Sequence, residues 1–124
     1  MSNATRLVVT VTTAADGSAT AFSPQIQYGK ISAIRYVKNN FADGSTMTCT
    51  LEATGESVWS ESAVNASATR APRQATHSTV GAAALYAAAG TAVNDRIVVV
   101  NDRIKIVIAN GGNATTGTFH FILD

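Results

Sequence analysis

The strongest constraint on what this chain can fold into is an echo. Val93-Asn94-Asp95-Arg96-Ile97 recurs seven residues later as Val100-Asn101-Asp102-Arg103-Ile104. A spacing of seven can mark a helical heptad, but Asn and Asp are weak helix formers and the residues around them are β-branched, which favours strands. Seven is odd, so on one unbroken strand Ile97 and Ile104 would face opposite sides of a sheet. Both reach a core only if Asn101-Asp102 interrupts the strand. The echo therefore reads as two consecutive corners, each feeding a strand, over 96–100 and 103–109. An Asn/Gly loop, 110–117, and a closing strand over 118–123 follow.

The rest of the chain has the same character. Residues 6–13 alternate, with Leu7, Val9 and Val11 on one face. Asp16-Gly17 is a tight-turn signal, so 18–22 is expected to return as the second arm of a hairpin. A strand over 30–38 carries Ile31, Ala33, Arg35 and Val37 on one side, and 46–52 points Met47, Cys49 and Leu51 inward. Thr54-Gly55-Glu56 turns that strand into a hairpin with 57–60. Residues 61–69 read as a loop of small residues, and 70–74 as an extended segment kept at a sheet edge by Pro72. Gly81 to Gly90 is mostly alanine, too short for an independent helix, and is expected to form a short helical turn or compact loop anchored by Leu85 and Tyr86.

The last two strands, read as a hairpin, offer Ile104, Ile106, Ile108, Phe119, Phe121 and Leu123. Burying those side chains does no more than match the entropy of ordering the hairpin, so a second apolar layer is required. Leu7, Val9, Val11, Met47, Cys49 and Leu51 can supply it. The expected fold is all-β: a two-layer antiparallel β-sandwich, jelly-roll-like, forming a single domain over 6–124 behind a flexible N-terminal arm, 1–5.

Composition narrows the function. A net charge of +1 with 14% charged residues over 124 positions provides no field for nonspecific binding of nucleic acid or acidic membranes. No apolar run approaches the ~20 residues that cross a bilayer. Leu7-Val8-Val9 is broken at once by Thr10, so no secretory leader is expected. The Asn-x-Ser/Thr triplets at Asn3, Asn65 and Asn113 are then read as coincidences of composition. The single cysteine, Cys49, is expected to be a buried thiol. Two histidines, His77 and His120, lack partners at catalytic or metal-binding spacing, and Gly111-Gly112 leads to a strand rather than to the helix of a phosphate cradle. No catalytic residue, cofactor or metal is expected, and the chain is read as non-enzymatic. Trp59 and Tyr36 read more readily as core than as a sugar-stacking platform. Arg70 and Arg73, flanking Pro72, are either solvated edge protection or contacts to a neighbouring subunit.

Several segments together resemble small virion proteins of tailed bacteriophages, of the head-decoration or capsid-cement type. They are Ala33-Ile34-Arg35-Tyr36-Val37, Phe41-Ala42-Asp43-Gly44, Glu52-Ala53-Thr54-Gly55 and Ala71-Pro72-Arg73. Val100 to Gly112 and Thr116-Gly117-Thr118-Phe119 complete the set. The resemblance implies a structural protein made in a bacterial host's cytoplasm and placed on the outer surface of the virion head. There it would bind the major capsid protein at capsomer junctions as a homo-oligomer, dimer or trimer, and stabilise the shell. Under that reading the contact residues are Ser2, Asn3, Thr5, Arg70, Arg73, Asn110 and Asn113. The alternative is a tail-associated β-sandwich that binds a sugar or receptor.

Overall fold

A computed structural model describes residues 4–124. It contains ten strands: β1 (Thr5–Thr12), β2 (Ala19–Phe22), β3 (Ile26–Lys38), β4 (Ser45–Leu51), β5 (Ser57–Val64), β6 (Ala68–Arg70), β7 (Arg73–Ala75), β8 (Asn94–Asp102), β9 (Ile104–Ala109) and β10 (Thr116–Leu123). Thr5 opens β1, and Met1 to Asn3, which make up most of the expected arm, lie outside the described residues.

The strands form two antiparallel sheets packed as a sandwich. One runs β1-β10-β3-β8-β7, with β6 also paired to β3, and the other runs β2-β9-β4-β5. The chain changes layer at each connection except β4 to β5 and the β6-β7-β8 run. This is the strand order of a jelly roll, two interleaved Greek keys.

That topology corrects two expected hairpins. The turn at Asp16-Gly17 forms, with Gly17 N–H donating to Ala14 O at 3.0 Å. The strands it joins then diverge, β1 pairing with β10 and β2 with β9. Likewise β9 and β10 lie in opposite layers, β9 against β4 and β10 against β1 and β3. The expected core residues nonetheless meet: Ile104, Ile106, Ile108, Met47, Cys49 and Leu51 line one inner face, and Val9, Val11, Phe119, Phe121 and Leu123 the other. Leu7 is only half-buried. The β4–β5 hairpin forms as expected, although β5 continues to Val64 into what had read as loop.

A bulge sets the phase of β3. Leu123 pairs with Ile31 but Ile122 pairs with Ala33, leaving Ser32 as an extra residue. One inserted residue exchanges the two faces of a strand. Ile31 faces the core before the bulge and Ile34 and Tyr36 after it, while Ala33, Arg35 and Val37 turn outward, contrary to the uninterrupted alternation expected.

The echo resolves asymmetrically. Asn101 adopts a left-handed conformation, φ 49°, and the chain leaves β8 for β9 in the other layer, so Ile97 and Ile104 are both buried. Asn94 and Asp95 do not form a corner. They lie inside β8, paired with Ala75 and Gln74 of β7.

Residues 76–93 form no helix. They fold into a small meander held by backbone hydrogen bonds, with bridges between His77 and Ala83 and between Leu85 and Ala92. Turns at Gly81 (φ 80°) and Ala89 (φ 56°) separate its arms. A few alanines between two glycines cannot nucleate a lasting helix, and cross-chain ladders satisfy the same backbone groups.

Candidate interaction surfaces

The two arginines singled out from the sequence are held within the molecule. Arg70 on β6 makes a bidentate pair with Glu61 on β5, Nε to Oε1 at 2.8 Å and Nη2 to Oε2 at 2.9 Å. Trp59 Nε1 donates to the same Oε1 at 3.0 Å. Because β5 and β6 belong to different sheets, this is a clamp across the open side of the sandwich. The Arg70 hydrogen bonds, followed by that from Trp59, hold the Glu61 carboxyl well below the usual carboxylate range, at about 2.

Arg73 has a different task. Its Nη1 donates to Ser32 O at 3.1 Å and to Pro72 O at 2.8 Å. On that edge of β3 the partner changes from β8, which ends at Ile31, to β6, which starts at Ile34. The bulged Ser32 carbonyl falls in the gap between them, where a guanidinium replaces the missing ladder donor. The apolar pattern does not mark the bulge, so this role of Arg73 is not legible from the residues alone.

Asn110 and Asn113 lie on the β9–β10 loop with both side chains exposed. The loop beneath them is tightly built. Asn110, Gly112 and Ala114 all have positive φ, at 58°, 93° and 51°. Thr13 Oγ1 donates to Gly112 O at 2.6 Å, Gly111 N–H to Gly17 O at 2.9 Å and Ala42 N–H to Gly111 O at 2.8 Å. A side chain at Gly17 would press on the Gly111 and Gly112 nitrogens at 3.1 and 3.0 Å. The tip is thus a rigid platform carrying two amides. Thr5 lies at the start of β1, exposed, and Ser2 and Asn3 fall outside the described residues. The structure does not gather these positions into one patch with the arginines.

Two exposed apolar features were not singled out from the sequence. On the outer face of the larger sheet Tyr28 pairs with Val100, and Lys30 with Val98. Tyr28, Val100 and Val98 are 66%, 60% and 41% exposed. The signal was present, because Ile97-Val98-Val99-Val100 is apolar on both faces of its strand, as in strands covered on both sides. The second feature is the 76–93 meander, where Val80 and Tyr86 are 88% and 76% exposed and Leu85 is also exposed. Leu85 and Tyr86 therefore do not anchor the segment to the sandwich as expected.

Trp59 and Tyr36 belong to the core. Tyr36 packs 5.1 Å from the Phe119 ring and 6.2 Å from those of Phe41 and Trp59, so no stacking platform can be built from it. Its hydroxyl is buried with no hydrogen-bond partner among the described residues, and burial pushes it up to about 12. Cys49 is buried as expected, and burial likewise pushes its thiol up to about 12. His120 lies half-buried between Val8 and Arg35 on neighbouring strands, and His77 is exposed on the meander. No group of three or more His, Cys, Asp or Glu side chains placed to share a metal occurs among the described residues. Among the described residues no helix is long and apolar enough to cross a membrane.

Comparison of the chain with family models, with curated proteins and with solved structures gave no match.

Proposed function

We propose that this protein is a structural component of a tailed-phage virion, a decoration or cement protein that binds the outer shell of the head at capsomer junctions and stabilises it. The observation that carries the reading is the apolar surface left outside a fully packed jelly roll. Tyr28, Val98 and Val100 crown the outer face of the larger sheet, and Val80, Leu85 and Tyr86 project from the meander. Apolar groups presented in this way mark a surface that another protein covers. The jelly roll is a recurrent architecture of viral capsid domains, which adds support by analogy of fold. The sequence resemblance to head-decoration proteins points the same way.

In this reading Tyr28, Val98 and Val100 meet the major capsid protein, and the amides of Asn110 and Asn113 contribute polar contacts at the rim. Arg70 and Arg73 act indirectly, by fixing the sheet edge and the β3 bulge. Each contact is weak alone, and repetition on a fixed lattice raises the effective affinity. The test is the copy number and position of the protein in purified virions. Many copies distributed over the head are expected. A few copies confined to the tail would overturn the proposal in favour of a receptor-binding role.

A further inference from the structure

The outer edges of the two sheets are not equally protected. β2 has four residues and is soon followed by Pro24. β7 has three residues, directly after Pro72, and opens with Arg73. It covers β8 only at Asn94 to Arg96, and the open remainder of β8 ends in the left-handed Asn101 and the charged Asp102. β6 has three residues and ends in Arg70. β5 is irregular, with two register shifts against β4 and a left-handed Ala63 at φ 55°. Short strands, prolines, charges and bulges are the devices by which edges avoid pairing with other chains. β1 has none of them except one charge. It runs for eight residues in unbroken register against β10, with no proline and with Arg6 as its sole charged residue.

The hydrogen bonds show which backbone groups this edge presents. Thr13 N–H donates to Thr115 O at 2.8 Å, so Thr13 points its backbone toward β10. By alternation Val11, Val9 and Leu7 do the same, and Thr12, Thr10, Val8 and Arg6 direct their N–H and C=O groups away from it. The far side of β10 agrees. Asp124 and Lys30 exchange both bonds, at 2.9 and 3.1 Å, so the even residues of β10 serve β3 and the odd ones serve β1. No strand among the described residues pairs with the outward edge of β1.

We propose that this edge pairs with β1 of a second copy of the chain, antiparallel about a two-fold axis at Val9, joining two larger sheets into one. The strand is matched to itself. In this register Val8 opposes Thr10 of the partner subunit and Arg6 opposes Thr12 of the partner subunit, so every outward backbone group is paired. The two Arg6 charges lie at opposite ends of the ribbon. Val8, 47% exposed, gains a β-branched neighbour across the axis. Any other register that keeps the outward groups opposed leaves some of them unpaired. The inference does not rest on the virion reading, although a two-fold dimer is a natural bridge between shell subunits.

Analytical ultracentrifugation of the full chain tests it, with circular dichroism as the check on folding. The wild-type protein is expected to form a dimer at about 100 μM. Thr10→Pro removes an outward donor that the β1–β10 ladder does not use, and should weaken the dimer at least about tenfold without unfolding the monomer. Thr12→Arg should weaken it through repulsion with Arg6, Thr12→Glu should strengthen it, and Arg6→Glu with Thr12→Arg should restore it. A wild-type monomer at that concentration overturns the proposal. So does a dimer indifferent to Thr10→Pro, or equal effects of Thr12→Arg and Thr12→Glu. Protection of the β1 amides only when capsid shells are added would assign the edge to a shell strand instead, and would also overturn it.

Discussion

The two copies of Val-Asn-Asp-Arg-Ile have the same sequence and different structures. In both, the Asp Oδ1 accepts the N–H of the following arginine at 2.7 Å. In both, the isoleucine is buried and the arginine finds a distant carboxylate. Arg96 meets Asp124 at 2.6 Å, and Arg103 grips Glu52 through Nε at 2.8 Å and Nη2 at 3.0 Å. The difference lies in the partners. The first copy has β7 beside it, and pairing with Ala75, Gln74 and Arg73 keeps Asn94, Asp95 and Arg96 extended. The second stands where β8 leaves the sheet. There Asp102 is buried and its Oδ1 also accepts Ala53 N–H at 3.0 Å, fixing the chain as it crosses to the other layer. The local sequence offers a corner at both places, and a tertiary donor decides where the corner is made.

Several substitutions test this contrast. The largest effects should be shared by both copies, since Ile97 and Ile104 fill the same core. Ile97→Ala and Ile104→Ala should each cost about 2–5 kcal/mol in urea unfolding. The aspartates should differ. Asp102→Ala strands Ala53 N–H and should cost about 1–3 kcal/mol, whereas Asp95→Ala, on an exposed strand position, should stay within about 0.5 kcal/mol. Equal effects of the two would dissolve the contrast. Next come the asparagines: Asn101→Ala places a Cβ-bearing residue without Asn's local hydrogen bonding in a left-handed conformation and should cost about 1 kcal/mol, while Asn94→Ala should be neutral.

The smallest effect is electrostatic and compares the Arg103–Glu52 clamp of the second copy with the Arg70–Glu61 clamp at the sandwich edge. The carboxyl of Glu61 is depressed in the folded protein to about 2. Its contribution is therefore fully present above the unfolded value of about 4.3 and is lost as the pH falls through that window. Both side chains are more than a third exposed or nearly so, which limits the contribution to about 1 kcal/mol or less. Glu61→Gln should show that loss at neutral pH and little of it by pH ~2. Glu52 is lowered as well, chiefly by its hydrogen bonds from Arg103, so Glu52→Gln should lose its effect in the same direction as the pH falls.

Much of the fold was legible because it depends on local alternation. Met47, Cys49 and Leu51 declare an inner face by period two, Pro72 marks an edge segment, and the odd spacing of the echo requires a break before Ile104. The pairings were not legible in the same way. Asp16-Gly17 makes the same turn whether the next strand returns beside β1 or crosses to β9, and only the distribution of apolar surface over the whole chain selects the jelly roll. The bulge at Ser32 was hidden because its carbonyl is satisfied by Arg73, 41 residues away in sequence. The candidate surface was legible only in part. Asn110 and Asn113 are exposed on a rigid tip, but Arg70 and Arg73 carry internal hydrogen bonds, and the Tyr28, Val98 and Val100 strip appears only once β3 and β8 are paired.

In the proposed function, the exposed strip of Tyr28, Val98 and Val100 is what the jelly roll lays against a capsid surface. Co-sedimentation with tailed-phage shells is the test of this proposal, comparing expanded with immature shells and wild-type protein with Val98→Glu. Wild-type protein should pellet with expanded shells, stay in solution with immature ones, and lose binding at least about tenfold on Val98→Glu with the fold intact. Wild-type protein that pellets with neither kind of shell would contradict it.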